Sequence, residues 1–170
     1  MRGCASTPWS FYLLFAMSCA VFVGTALEFF FVDRQYHLVP MIIGVGLFLV
    51  ASGIRVAAIR TLGRYWSLHI EIQEEHEFVQ NGVYSIVRHP AYLSFVMEHI
   101  AVPLVGNAWW SLLITVVGYI PLLWLRIVRE DAVLVERFGA PCRAYQQQVG
   151  ALLPRRSTLC HPGKLPRGAS

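Results

Sequence analysis

The sequence predicts an all-α membrane protein with about four transmembrane helices, and three observations predict it. Hydrophobic residues make up 56% of the 170-residue chain and charged residues only 14%, with a mean hydropathy of +0.52, which lies outside the range of ordinary soluble domains. The apolar residues gather into four runs separated by polar turns. Thirteen of the fourteen basic residues lie before the first run, in the connection between the second and third with its flanks, or from the end of the fourth onward, as the positive-inside bias of membrane proteins demands of one face.

The first run covers residues 9–32, with Trp9 at one interface and Phe29, Phe30 and Phe31 toward the other. Arg2 ahead of it imitates a signal peptide, but a signal h-region is only about 7 to 15 residues long, so the run is expected to be a retained span. Its one acid, Glu28, is expected to snorkel or to pair locally. A polar turn over 33–37 leads to the second span, 38–59, which carries Gly44, Gly46, Ser52 and Gly53 as small residues for close helix contact. Arg55 and Arg60 are expected to reach back to the interface.

Between 61 and 87 the hydropathy breaks. Gly63-Arg64-Tyr65-Trp66 reads as interfacial, and the alternation in 67–72 suggests a short extended piece over the bundle. Glu71, Glu74, Glu75, His76 and Glu77 form an acidic patch that reads as a solvated face, since its spacing matches no metal site. The third span, 90–105, is short and interrupted by Pro103. It turns at Gly106-Asn107 into the fourth, 108–128, which Pro121 should bend. Glu98 and His99 lie inside the third span, where an ionisable side chain must face a partner or a wet cavity rather than lipid.

One bundle over residues 1–154 is expected, followed by a disordered basic tail over 155–170 that rests on anionic lipid. With Arg34 the single basic residue on the opposite side, four spans place both termini in the cytosol, in an inner, plasma or endomembrane. The net charge of +4 speaks to topology and lipid headgroups, and no basic run interleaved with aromatics suggests nucleic acid. Cys4, Cys19, Cys142 and Cys160 are scattered, with neither a C-x-x-C pair nor a histidine at metal-ligand spacing, so no metal site or disulfide framework is indicated.

Chemistry concentrates in 81–92. Asn81-Gly82 is a turn signal, and Pro90 suits the first position of a helix, where its missing N–H has no partner to lose. Arg88 and His89 then stand just outside a helix N-terminus, whose unpaired N–H groups and partial positive charge favour an anion such as a carboxylate. Arginine at a membrane edge also serves as a simple headgroup anchor. At the end of the fourth span Arg126 and Glu130 are spaced i, i+4 and share a helix face, flanked by Arg129 and Asp131.

Taken together, Gly82-Val83-Tyr84, Arg88-His89-Pro90-Ala91-Tyr92, Arg126, Glu130-Asp131, Leu134, Phe138-Gly139, Tyr145 and Leu153-Pro154 resemble the isoprenylcysteine carboxyl methyltransferase family of integral membrane enzymes. That family's pattern is G-x-Y-x-x-x-R-H-P-x-Y-x-G, an acidic pair, L-x-x-x-F-G and spaced tyrosines. Ser94 stands where the family usually has glycine, Asp131 where a second glutamate is commoner, and Cys142 where the first of two tyrosines is expected. The resemblance implies S-adenosylmethionine as methyl donor, held in a cytosolic pocket formed by the last two spans and the C-terminal segment. It assigns His89, Pro90 and Tyr92 to the cofactor's surroundings, Tyr84 to closing them, and Glu130 to a polar end of the cofactor. Arg88 and Arg126 would face the substrate carboxylate. The substrate it implies is a prenylated or other lipophilic acid that enters from the bilayer.

Methyl transfer from a sulfonium to a carboxylate oxygen is an in-line displacement that needs no metal and, with an ionised acceptor, no general base. Arginine suits the task because it orients a carboxylate at two points while staying charged. A lipid amine or thiol acceptor is the alternative enzyme reading, in which Glu98, His99 or Glu130 becomes a candidate base. A non-catalytic bundle whose arginines serve topology alone is the third.

Overall fold

The computed structural model describes residues 8–32, 35–63 and 82–155. The acidic patch 71–77, the extended piece 67–72, Arg34 and the tail beyond Arg155 lie outside these residues. The described chain is helical: α1 Pro8–Phe31, α2 Leu38–Leu62, a 3-10 turn Gly82–Ser85, α3 Pro90–Val105, α4 Trp109–Ile114, a π turn Thr115–Tyr119, α5 Ile120–Phe138 and α6 Ala140–Gln148. Three stretches are long and apolar enough to cross a membrane: Trp9–Phe31, Leu38–Leu62 and the continuous Trp109–Phe138. The expected third span, α3, has 16 residues, which at about 1.5 Å per residue falls short of a core of roughly 30 Å.

The described residues form two compact units, one of 54–63, 82–91 and 127–155, the other of 8–32, 35–53 and 92–126. The second, apolar unit exposes a long series of large side chains such as Phe15, Phe30, Val39, Ile42, Leu49 and Val117, the outward surface a lipid solvent requires. Several of its polar groups are buried and paired. Glu28 is 8% exposed and caps the start of α4: Ser111 donates to Oε1 through both its backbone N–H and its hydroxyl at 2.6 Å, and the Trp110 N–H donates to Oε2 at 3.3 Å. Local pairing, not snorkelling, is therefore what keeps this acid in an apolar helix.

His99 is settled in the same way. Its Nδ1 donates to the Phe95 carbonyl at 2.8 Å, so Nε2 accepts from the Ser18 hydroxyl at 2.9 Å, and its ring stacks on Tyr119 with centroids 3.8 Å apart. Of the small residues expected at helix contacts, Gly44 meets the expectation, since a Cβ there would stand 2.8 Å from the Ala101 carbonyl and 2.9 Å from Val105. Gly46 and Gly53 face open space. Helix packing needs a small residue only where backbones meet, and α3 meets α2 at Gly44.

The expected disturbance at Pro121 takes the form of the π turn at Thr115–Tyr119, just before it. Proline removes one rung of the helical ladder, and a wider turn re-pairs the carbonyls left over. Thr115 bridges the spot, its hydroxyl donating to the His99 and Ser111 carbonyls at 3.1 and 3.0 Å. At one end of this unit Asn107, with a φ of +51°, turns the chain between α3 and α4. Its amide accepts from the His37 N–H at 3.0 Å and donates to the His37 carbonyl at 3.4 Å, joining the two turns.

Candidate functional site

The other unit carries most of the residues singled out by the sequence. Gly82 opens it with a φ of +60°, and a Cβ there would stand 2.9 Å from the Thr61 hydroxyl, so the turn admits glycine for both conformation and space. The chain coils through Gly82–Ser85 and then runs straight into a single parallel bridge, Val87 with Gly150. The Arg88 and His89 N–H groups donate to the Gly150 and Ala151 carbonyls at 2.9 and 3.0 Å. Pro90 follows, fully buried, as the first residue of α3.

Arg88 and His89 both turn to one carboxylate of α5. Arg88 Nη1 is 3.1 Å from Asp131 Oδ2, and His89 Nε2 is 3.0 Å from Asp131 Oδ1. All three side chains are largely withdrawn from water, at 13%, 7% and 17% exposure, where a charge-assisted contact is screened less than on an open surface. Gln146 of α6 donates to the Asp131 backbone carbonyl at 3.1 Å. The Tyr145 hydroxyl donates to the Tyr84 carbonyl at 2.5 Å, fastening the same helix to the turn before Arg88.

The electrostatics separate the two acids of α5. Burial pushes the Tyr84 phenol up to about 12, and the negative charge of Glu130 adds to the effect. Burial also raises the Tyr145 phenol, with the Arg88 charge pulling against it. The Cys142 thiol is raised by burial and by Asp131, and lowered by Arg88. Glu130 thus acts on Tyr84 while Asp131 meets Arg88 and His89. Adjacent residues on a helix point about 100° apart, so two neighbouring acids serve different partners.

The structure brings Tyr84, Arg88, His89, Pro90 and Glu130 into this one unit. Tyr92 and Arg126 belong to the apolar unit, where Arg126 Nε donates to the Tyr92 hydroxyl at 3.0 Å, Nη1 donates to the Ser10 hydroxyl at 3.4 Å, and the guanidinium lies 6.0 Å from the Phe11 ring centroid. The sequence left three participants without a role: Asp131, Gln146 and the Gly150-Ala151 backbone. Asp131 was visible as half of an acidic pair. Nothing in the residue types of Gly150 and Ala151 marks them, because they act through main-chain carbonyls.

Comparison with known proteins points to the family that the motifs resemble. The model of the Isoprenylcysteine carboxyl methyltransferase (ICMT) family matches residues 43–136. A probable protein-S-isoprenylcysteine O-methyltransferase of Oryza sativa subsp. indica is 25% identical over 146 residues, covering 82% of this chain and 74% of that protein. A methanethiol S-methyltransferase of Pseudomonas deceptionensis is 43% identical over 74 residues, covering 42% of this chain and 26% of that protein. The solved structure of the eukaryotic intramembrane Ras methyltransferase ICMT superposes with a TM-score of 0.70 at 24% identity, over 89% of this chain and 54% of that one, which shows a shared fold. With the family model matched across more than half of its length, this chain, an integral membrane protein, belongs to the isoprenylcysteine carboxyl methyltransferase family.

Proposed function

We propose that this protein transfers a methyl group from S-adenosylmethionine to the carboxylate of an isoprenylcysteine or a similar lipophilic acid that reaches it through the bilayer. The observation that carries the reading is the convergence of Arg88 and His89 on α5 beside Glu130, within a chain that matches the family model. Bound S-adenosylmethionine supplies a methyl group on a sulfonium, electrophilic enough to be displaced by a carboxylate. The residues fit such a cofactor: Glu130 provides a negative charge for its amine or hydroxyl end, and Tyr84, His89, Pro90 and Tyr92 provide rings and apolar surface. The negative field that Glu130 exerts on Tyr84 supports this division.

Arg88 and Arg126 orient the acceptor carboxylate, each as a permanently charged planar donor. Their work is alignment and exclusion of water, because an in-line displacement on an ionised oxygen needs no proton moved. His99 serves the fold, with both ring nitrogens engaged inside the apolar unit. The methyltransferase domain spans 1–154, with four spans, α3 the shortest, a cytosolic cofactor site, and both termini in the cytosol. The pairing of Asn107 with His37 supports that count, since four spans put the first and last turns on the same side.

A small thiol acceptor is the second reading, favoured by the 43% identity to the methanethiol enzyme. Purified protein in detergent, given labelled S-adenosylmethionine with prenyl-cysteine, fatty-acid, phospholipid and thiol acceptors, decides between them. Transfer to prenyl-cysteine or another lipophilic carboxylate supports the first reading. Transfer to thiol alone replaces it with the second, and no transfer together with no cofactor binding removes both.

A further inference from the structure

Residues 88 and 89 are held at two levels. Their main chain is fixed by the Gly150 and Ala151 carbonyls, whereas their side chains are fixed by Asp131, one carboxylate oxygen to each. Arg88 Nε is buried and has no hydrogen-bond partner among the described residues, so the contact at Nη1 is what sets the guanidinium's direction. Asp131 is in turn steadied by Gln146 through its backbone carbonyl.

We propose that Asp131 is the positioning residue of this site: it aims the Arg88 guanidinium, orients the His89 ring and places that ring's proton on Nε2. The proposal rests on the roles given above to Arg88 and His89. A carboxylate is the right group because both of its oxygens accept, and both neighbours donate. An asparagine in the same place offers one acceptor, so its amide NH2 group either confronts the guanidinium or forces the ring proton onto Nδ1. Glu130 cannot substitute, because the next residue along the helix points about 100° away. Partners that orient metal-ligating side chains matter about tenfold to a hundredfold for affinity or activity, and the same order is expected of a carboxylate that orients Arg88 and His89.

The test uses the full chain in detergent, with labelled S-adenosylmethionine and an S-prenyl-cysteine acceptor, and reads turnover, cofactor affinity and thermal unfolding together. Asp131→Asn is expected to lower turnover about tenfold to a hundredfold and to weaken cofactor binding, while Asp131→Glu retains most of both because it keeps two acceptor oxygens. Combining Asp131→Asn with Arg88→Ala should cost turnover little more than Arg88→Ala alone, and combining it with His89→Ala should cost affinity little more than His89→Ala alone. A purely structural role would instead lower the unfolding temperature and give losses that add. Additive losses, a normal Asp131→Asn, or an Asp131→Glu as damaged as Asp131→Asn overturns the proposal.

Should Asp131→Asn fail to fold, Asp131→Ser, which also removes the carboxylate, carries the same two cycles, and additive losses there overturn the proposal equally. Arg88→Ala and His89→Ala with unchanged turnover and affinity would remove the roles assigned to those residues, and this proposal with them. Damaged Arg88→Ala and His89→Ala beside an unaffected Asp131→Asn would remove the positioning alone.

Discussion

Under the proposed function, Arg88, Arg126, Glu130 and Asp131 each have a separate task. Arg88→Lys keeps the charge but loses the planar fork, so turnover should fall by orders of magnitude while cofactor affinity changes little; radiolabel transfer and calorimetry in detergent separate the two effects. Glu130→Gln should do the reverse. A charge-assisted contact contributes about 1.5 to 3 kcal/mol, so binding of S-adenosylmethionine should weaken about tenfold to a hundredfold with turnover at saturation largely kept. The buried phenols give a pH signature. In the folded protein Tyr84 keeps its proton up to about pH 12, and Tyr145 is shifted in the same direction, whereas an unfolded chain releases both near the ordinary value of 10. The folded state therefore binds more protons in that window, and the stability these groups add is present below about pH 10 and lost as pH climbs toward 12. Unfolding temperature should drop across that interval, and Tyr84→Phe with Tyr145→Phe should flatten the drop; an unchanged slope would contradict it. At this scale the sequence disclosed the residues whose types announce chemistry, Arg88, His89 and Glu130, and left Asp131 as a flank, because which of two neighbouring acids faces inward depends on the rotation of α5.

Among the helices, the sequence placed α1, α2 and the start of α3 within a few residues, since apolar length and Pro90 determine them directly. It did not show that the last long stretch would pass through a π turn, because a missing N–H at Pro121 allows either a kink or a widened turn. Nor did it rank the glycines. Whether a glycine is needed depends on what lies across from it, which no single helix records. Gly44→Ala should destabilise by about 1 to 3 kcal/mol, because its new methyl would press on the Ala101 carbonyl, a backbone atom that cannot swing aside. Gly46→Ala, with open space around it, should be neutral or slightly stabilising. Thermal unfolding of the two variants in the same detergent checks the contrast, and equal effects would show that Gly44 is not a contact point.

For the molecule as a whole, the proposed topology rests on the charge pattern. If four spans gather thirteen of the fourteen basic residues on the cytosolic face, a cysteine added after Ser170 should resist membrane-impermeant reagents in intact cells, and one placed at Tyr36 should react. Labelling of the far terminus from outside would reverse the assignment. Hydropathy and arginine count were legible here because lipid imposes them on every membrane chain. The closing of the site was not, since it joins main-chain groups far apart in sequence. The bridge from Val87 to Gly150 also orders events in time. A ribosome delivers Arg88 and His89 well before Gly150 and Ala151 exist, so a nascent chain can have every span inserted and still lack the carbonyls that fix those two residues. Assembly of the site waits for nearly the last described residues to emerge, and a chain cut short in α6 would be a membrane protein without a finished catalyst.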